Sequence, residues 1–292
     1  MIAELTKRFV AILSDEERLI VAEENLQLAK ATAEEVQKRV KATIAPEPDL
    51  GRALAAVDVA HLQLSSLRQQ YAVHKMALAN MWGSLEADFD SLSGSLYAFG
   101  EERPFDDLFQ QLEQNPRSTL YTAENRLKEA ELRMAKVRQK SDLTWSVGVK
   151  RDEVSDDSAL VIGFSLPLMS EQRANGAITS ALAARDEVRL RQQGHRLRLY
   201  TQLYEAYTSR QQAIKSSQTL AQKIIPNLTK SLQQTKYAYQ RGLYSYLDFL
   251  TARQELLAAK QDRIDAAEAA LLYTAEIEQL TAQPLFMMVE GN

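Results

Sequence analysis

A mainly α protein, built of long antiparallel coiled-coil helical hairpins with one β-hairpin, is the fold class this sequence predicts. Three observations lead there. Gly (10) and Pro (7) are scarce among 292 residues, and good helix formers (Ala, Leu, Gln, Glu, Lys, Arg) dominate. Apolar residues recur every seven positions through several long stretches, the seam of a coiled coil. Between Leu143 and Leu168 that rhythm gives way to strict alternation, in two runs of about ten residues, the length of a membrane-crossing barrel strand.

From Met1 to Thr43 there is no Gly or Pro, and Leu5, Ile12, Leu19, Leu26, Ala33 and Val40 form a sevenfold series. A helix of that extent is roughly 65 Å long. The segment Ile44-Ala-Pro-Glu-Pro-Asp49 breaks it. A second series, Leu50, Val57, Leu64, Tyr71 and Leu78, continues to Trp82-Gly83, so the two helices are expected to fold back on each other. Gly83 to Pro116 is richer in Ser, Gly and Asp and reads as an irregular belt holding one short amphipathic helix, Phe105–Gln114. Arg117–Gln139 is helical again, with Leu120, Leu127 and Met134 in sevenfold register.

The alternating runs are Leu143–Arg151 and Ser158–Leu168. Trp145, Val147 and Val149 point one way in the first, Thr144, Ser146, Gly148 and Lys150 the other. In the second, Leu160, Ile162, Phe164 and Leu166 oppose Ala159, Val161, Gly163 and Ser165. The seven large residues of these faces are the candidate lipid-facing set, the competing reading being a cover over a helical core. The acidic Asp152–Asp157 connection suits an external loop, and Pro167 ends the second strand. One hairpin cannot close a barrel, so strands must come from copies of the chain or from a longer protein.

Ala174–Arg241 is a further long helical stretch, expected to be interrupted at Gly176 and Gly194 and kinked or divided at Pro226. Arg241-Gly-Leu-Tyr-Ser-Tyr-Leu-Asp248 is a turn, with Ser245 and Asp248 spaced as a capping box. The last helix runs to Ala282 on Leu250, Leu257, Ile264 and Leu271, and Gln283–Asn292 is a tail. The helix-turn-helix at 1–82 resembles that at 195–282, and a shift of 199 superposes Asp49 on Asp248, Ala53 on Ala252 and Ala60 on Ala259.

A net charge of −4 gives no basic field for nucleic acid. The absence of cysteine excludes disulfides, thiolate metal sites, thiol nucleophiles and a lipid-acceptor cysteine. No apolar run approaches the ~20 residues of a transmembrane helix. The start, Met1-Ile-Ala-Glu-Leu-Thr-Lys, enters an amphipathic helix with no signal peptide, so the chain is expected to begin within a longer protein. His61, His74 and His195 read as incidental surface or seam residues, and the Met287-Met288 pair as a tail feature without a third ligand. Glu16-Glu17 and Glu23-Glu24 read as solvated faces, or as tunnel lining that attracts cations. No catalytic group, metal site or cofactor is expected: the chain shows no nucleophile arrangement, metal cluster or phosphate loop, so it is not an enzyme.

Several segments in this order resemble the TolC-type outer-membrane efflux protein family. They are Ala-Tyr-Gln-Arg241-Gly-Leu-Tyr-Ser-Tyr-Leu-Asp248-Phe-Leu-Thr-Ala-Arg, Gln114-Asn-Pro-Arg-Ser-Thr-Leu, Ala123-Glu-Asn-Arg-Leu with Ala130-Glu-Leu-Arg-Met-Ala, Ser141-Asp-Leu-Thr-Trp-Ser-Val-Gly-Val149 and Ala159-Leu-Val-Ile-Gly-Phe-Ser-Leu-Pro-Leu168. With Arg173-Ala-Asn-Gly-Ala-Ile178 the strands look most like the cobalt-zinc-cadmium branch. The resemblance implies a homotrimer in which each protomer lends two β-hairpins to a shared barrel and two helical hairpins to a periplasmic tunnel. It implies passive conduction, here of heavy-metal cations, across the outer membrane, with a periplasmic adaptor and an inner-membrane pump as partners and outer-membrane lipid around the barrel. The localisation implied is the outer membrane with a periplasmic extension. Residues 1–82 would be the first helical hairpin of the tunnel, 83–116 an equatorial belt, 117–142 the helix leading to the barrel, 143–168 the barrel hairpin, 169–282 the helices of the second hairpin and 283–292 the tail.

The family's signal, first helices and first strand pair have no counterpart before Met1. Three copies would supply six strands, while small barrels use about eight. The adaptor-docking tips implied are Arg241, Gly242, Leu243, Tyr244, Ser245 and Asp248, with Thr43, Ile44 and Asp49 at the first tip, where Thr43 replaces the family's usual Gly and Pro46 its frequent Ser. Another class stays open: a soluble coiled-coil scaffold, or a periplasmic adaptor, which would carry Gly-rich β domains flanking its helical hairpin.

Overall fold

A computed structural model describes residues 2–89, 91–113, 116–139, 143–152, 157–165, 170–283 and 285. The chain divides into two compact units, Met1–Phe109 with Gln202–Asn292, and Gln110–Thr201. Elements follow the expected order: α1 (Ile2–Lys41), α2 (Glu47–Ala79), α3 (Phe105–Glu113), α4 (Pro116–Gln139), β1 (Thr144–Asp152), β2 (Asp157–Ser165), α5 (Ser170–Thr219), α6 (Ile225–Gln240) and α7 (Tyr246–Thr281).

In the first unit α1 and α2 run antiparallel, held by Ala22, Leu26 and Ala29 of α1 against Ala60 and Leu64 of α2. The two prolines expected to sit in the break instead open α2, with Pro46 as its N-cap and Pro48 in its first turn. A first-turn proline costs nothing there, because its missing N–H would have had no helical partner. A 3-10 turn, Asn80–Trp82, follows α2, and Gly83 ends it at φ +82°. Helix α1 also packs along α7, so its buried stripe adds Val10, Leu13 and Val36 to Ile12, Leu26 and Ala33, and is broader than one seam. The belt between α2 and α3 folds onto this pair: Leu96 is buried with Val10, Leu13, Ile264, Ala267 and Leu271.

Neither Gly176 nor Gly194 interrupts α5, contrary to expectation. A glycine inside a helix costs only about 1 kcal/mol, and a long helix absorbs that. The division falls where Pro226 requires it: a π-helical turn, Leu220–Ile224, precedes α6. The wider turn accommodates the pyrrolidine ring, which would otherwise meet the carbonyl of Gln222, and the lost N–H donor.

In the second unit β1 and β2 form a two-stranded antiparallel sheet. Helix α4 runs beside the early part of α5, joined by Arg191 to Glu124 at 3.2 Å and by the Tyr121 and His195 rings at 4.9 Å. The series Leu120, Leu127 and Met134 is exposed rather than buried; Leu132 and Ala135 hold the buried face of α4. Leu166, Pro167, the Met287-Met288 pair and loop residues 153–156 lie outside the described residues.

Candidate functional site

The two helical tips share one backbone turn. At the first, Ala42 N–H donates to Lys38 O, Thr43 to Val40 O and Ile44 to Arg39 O. At the second, Arg241 donates to Tyr237 O, Gly242 to Tyr239 O and Leu243 to Ala238 O. Each bond repeats its counterpart at the same offset that relates the two hairpins in sequence. The turn needs a left-handed residue, and Gly242 (φ +75°) supplies it freely, while Thr43 (φ +59°) adopts it against the Cβ penalty. Both tips leave large apolar side chains in the open: Ile44 at the first, Leu243, Tyr244 and Leu247 at the second, with Leu243 72% exposed.

The tips differ in their caps. Ser245 closes a capping box: the Asp248 N–H donates to its Oγ at 3.2 Å, and the Ser245 N–H donates to Asp248 Oδ2 at 2.9 Å. The Ser245 hydroxyl, donating to Asp248 Oδ2 at 2.7 Å, and the Ser245 N–H together hold the Asp248 carboxyl below its usual range. Pro46 occupies the matching position at the first tip and offers no side-chain cap. Asp49 instead lies 3.6 Å from Arg52. Arg241 stacks its guanidinium 4.3 Å over the Tyr237 ring.

A link between the hairpins, unforeseen in the sequence, lies just behind the second tip. Arg39 donates to Gln240 O at 2.8 Å and covers the Tyr239 ring at 4.6 Å. Tyr239, Tyr246 and Phe249 pack together, and burial raises both tyrosine pKa values. The sevenfold series of α7, counted back from Leu250, reaches Leu243 and Lys236 and so passes over Tyr246 and Tyr239.

The ribbon places Trp145 opposite Phe164, Val147 opposite Ile162, and Val149 opposite Leu160. All six therefore lie on one face, and all are exposed, from 56% at Val147 to 75% at Val149. The opposite face pairs Ser146 with Gly163, Gly148 with Val161 and Lys150 with Ala159. Gly163 leaves room there for the Ser146 hydroxyl, which would stand 2.9 Å from an added Cβ.

A polar network ties α1 to its neighbours well behind the tips. Asp15 is fully buried; its Oδ2 lies 2.6 Å from His74 Nδ1 and its Oδ1 accepts from Gln70 at 3.3 Å. Burial raises the Asp15 pKa, offset in part by the hydrogen bond to His74. Arg18 bridges to Asp265 (2.7 Å) and Glu268 (2.6 Å) of α7, and Ser14 donates to Glu268 at 2.8 Å. His74 is thus a partner of a buried acid and not incidental. Glu16 and Glu17 are half-buried and more than a solvated face, accepting from Tyr71 and Tyr97, whereas Glu23 and Glu24 are exposed as expected and accept from Arg68 and Lys260 at the surface. Side-chain partners 45 or more residues away in sequence leave no local signal. His61 lines an open groove of about 950 Å³ between α1 and α2, and His195 meets Tyr121.

Among the described residues no group of three or more His, Asp or Glu side chains could hold a metal ion, and no helix is long and apolar enough to cross a membrane. Residues 142–283 match the Outer membrane efflux protein family. The chain is 28% identical over 241 residues to the cobalt-zinc-cadmium resistance protein CzcC of Cupriavidus metallidurans; that match takes in 82% of this chain and 57% of the relative, so the chain spans little more than half its length. The fold is that of the outer membrane protein VceC of Vibrio cholerae (TM-score 0.76, 18% identity, 97% of this chain and 70% of that one). CusC is comparably similar (TM-score 0.75, 16% identity, 96% and 67%), as is the MtrE outer membrane channel of Neisseria gonorrhoeae (TM-score 0.72, 17% identity, 97% and 66%). With its long helical hairpins and, among the described residues, one ribbon, the chain has the mainly α fold of these outer-membrane channels, and its second half is similar to the Outer membrane efflux protein family.

Proposed function

We propose that this protein forms the outer-membrane part of a tripartite efflux system, a passive exit duct for heavy-metal cations. The carrying observation is the ribbon: six large apolar side chains share one face and all are exposed, with Val161 alone among the described large ones on the other, at a length suited to a barrel strand. In this reading residues 143–168 give one strand pair per protomer to a barrel that the homotrimer of the intact protein completes with further strands, 117–142 lead to it, 83–116 form an equatorial belt, and 1–82 and 169–282 contribute the two hairpins of a periplasmic tunnel. The barrel crosses the outer membrane and the tunnel extends into the periplasm. Likeness to a cobalt-zinc-cadmium resistance protein supports metal cations as cargo. Conduction down a gradient needs no catalytic group; an inner-membrane pump supplies the energy and a periplasmic adaptor joins the two.

The exposed tip residues Ile44, Leu243 and Tyr244 are the adaptor's contact in this reading, with Thr43, Gly242, Ser245 and Asp248 shaping the turns that present them. A coiled-coil scaffold or an adaptor would have no use for a ribbon with an exposed apolar face. The test is resistance to cobalt, zinc and cadmium in cells carrying the chain with its pump and adaptor. Leu243→Asp with Tyr244→Asp is expected to lower resistance by roughly tenfold, the scale of losing apolar anchors at an interface, while the amount in the outer membrane stays unchanged. Unaltered resistance contradicts tip docking, and full resistance in cells lacking the chain contradicts the duct.

A further inference from the structure

The last two turns of α4, immediately before the ribbon, carry a pattern that the tips and tunnel do not explain. After Glu131 the described part of α4 holds cations and no acid: Arg133, Lys136 and Arg138. All three are exposed, and among the described residues none is in an ion pair. Between them the helix exposes two large apolar side chains, Met134 and Val137. On a helical projection Val137 and Met134 sit side by side, Arg133 and Lys136 flank them on one side and Arg138 on the other. Leu132 and Ala135 fill the buried face, so this cation-bracketed apolar strip faces outward. The same apolar surface type resumes on the chain at Leu143 and at the pair Trp145 and Phe164, one step in from the Thr144–Ser165 pair that closes this end of the ribbon.

We propose that this strip is a lipid-headgroup anchor: Met134 and Val137 enter the edge of the bilayer while Arg133, Lys136 and Arg138 engage the phosphates of anionic phospholipids, and Trp145 with Phe164 marks the interface level. The occupant follows from charge and amphipathicity together. Anionic headgroups over acyl chains match cations bracketing an apolar strip. Long basic side chains reach back to phosphate while their stems stay apolar, and aromatic residues gather at that boundary in barrel proteins. The inference rests on the ribbon entering the membrane and adds the lipid class and the leaflet contact. The anchor would fix the depth at which the ribbon stands.

The test uses the full chain, diluted from detergent onto vesicles of phosphatidylcholine alone or with one quarter phosphatidylglycerol, with binding followed by co-sedimentation at low and high salt. Phosphatidylglycerol is expected to strengthen binding in a salt-sensitive way. The triple variant Arg133→Glu, Lys136→Glu, Arg138→Glu should lose on the order of a hundredfold of that gain, roughly fivefold per cation. A control reversal of equal net charge on exposed lysines elsewhere, Lys215→Glu, Lys223→Glu, Lys230→Glu, should lose less than about threefold, because charges off the membrane surface are screened. Circular dichroism should show equal helix content in all forms. Equal binding to both vesicle types, equal loss in the control, or a change in self-association without a change in vesicle binding each overturns the anchor. Protease protection of the ribbon separates this from the channel reading: headgroup-dependent binding with an unprotected ribbon keeps the anchor and removes the barrel.

Discussion

At the scale of single residues, the two tips form a controlled comparison that the chain makes with itself. Thr43 and Gly242 sit in the same hydrogen-bonded turn at positive φ, but only Gly242 does so without cost. Thr43→Gly is expected to stabilise the protein by about 1 kcal/mol, and Gly242→Thr to destabilise it by about the same; urea midpoints measure both, and a loss of stability on Thr43→Gly contradicts the reading. Asp15 makes a second case. Its folded pKa is raised, so its contribution is complete below the ordinary carboxylate value of 3.8 and is lost as pH rises through the folded value. Asp15→Asn, which keeps the shape without the charge, should therefore gain on the wild type as pH climbs from about 3 to about 6. A constant difference in urea midpoint across that range would remove burial as the dominant influence on Asp15. Nothing local in the chain marks this group: Asp15 stands in an acidic run with Glu16 and Glu17, and it and His74, 59 residues on, become partners only when α2 folds back on α1.

At the scale of elements, sevenfold spacing finds α1, α2 and α7 because each buries a seam, and the Ser245–Asp248 spacing finds the start of α7 because a capping box is local chemistry. The same spacing in α4 marks residues that prove exposed, since periodicity reports a stripe and not what covers it. Proline divides the helix at Pro226 as expected, but Pro46 and Pro48 open α2 rather than sit in a loop, because the first turn tolerates them. Gly176 and Gly194 carry less meaning than expected, since no turn or close approach requires a glycine at either. The α1–α2 contact depends on small residues, with Ala60 only 1% exposed against Ala22, Leu26 and Ala29. Ala60→Leu overfills that contact and should cost about 2 kcal/mol. Guanidinium denaturation reads it, and an unchanged midpoint would show that the helices are free to separate. An enlarged side chain at exposed Leu62 should have no such effect.

At the scale of the whole molecule, the ribbon is what separates this chain from an ordinary coiled-coil protein. Its alternation was legible because a strand with two different environments must change residue type at every step. The pairing register was not, because no apolar pattern in either strand fixes it; the structure supplies it and puts Trp145, Val147 and Val149 on the same face as Leu160, Ile162 and Phe164. The helical tips were legible as turns, while the Arg39 link to Gln240 O was not, since it joins residues 201 apart. The most direct test of the account is the fluorescence of Trp145 in a Trp82→Phe background, with the full chain reconstituted in bilayers of brominated phospholipid. Strong quenching of Trp145 is expected, abolished by Ile162→Asp at unchanged helix content. A Trp145 emission that brominated acyl chains leave untouched would contradict it.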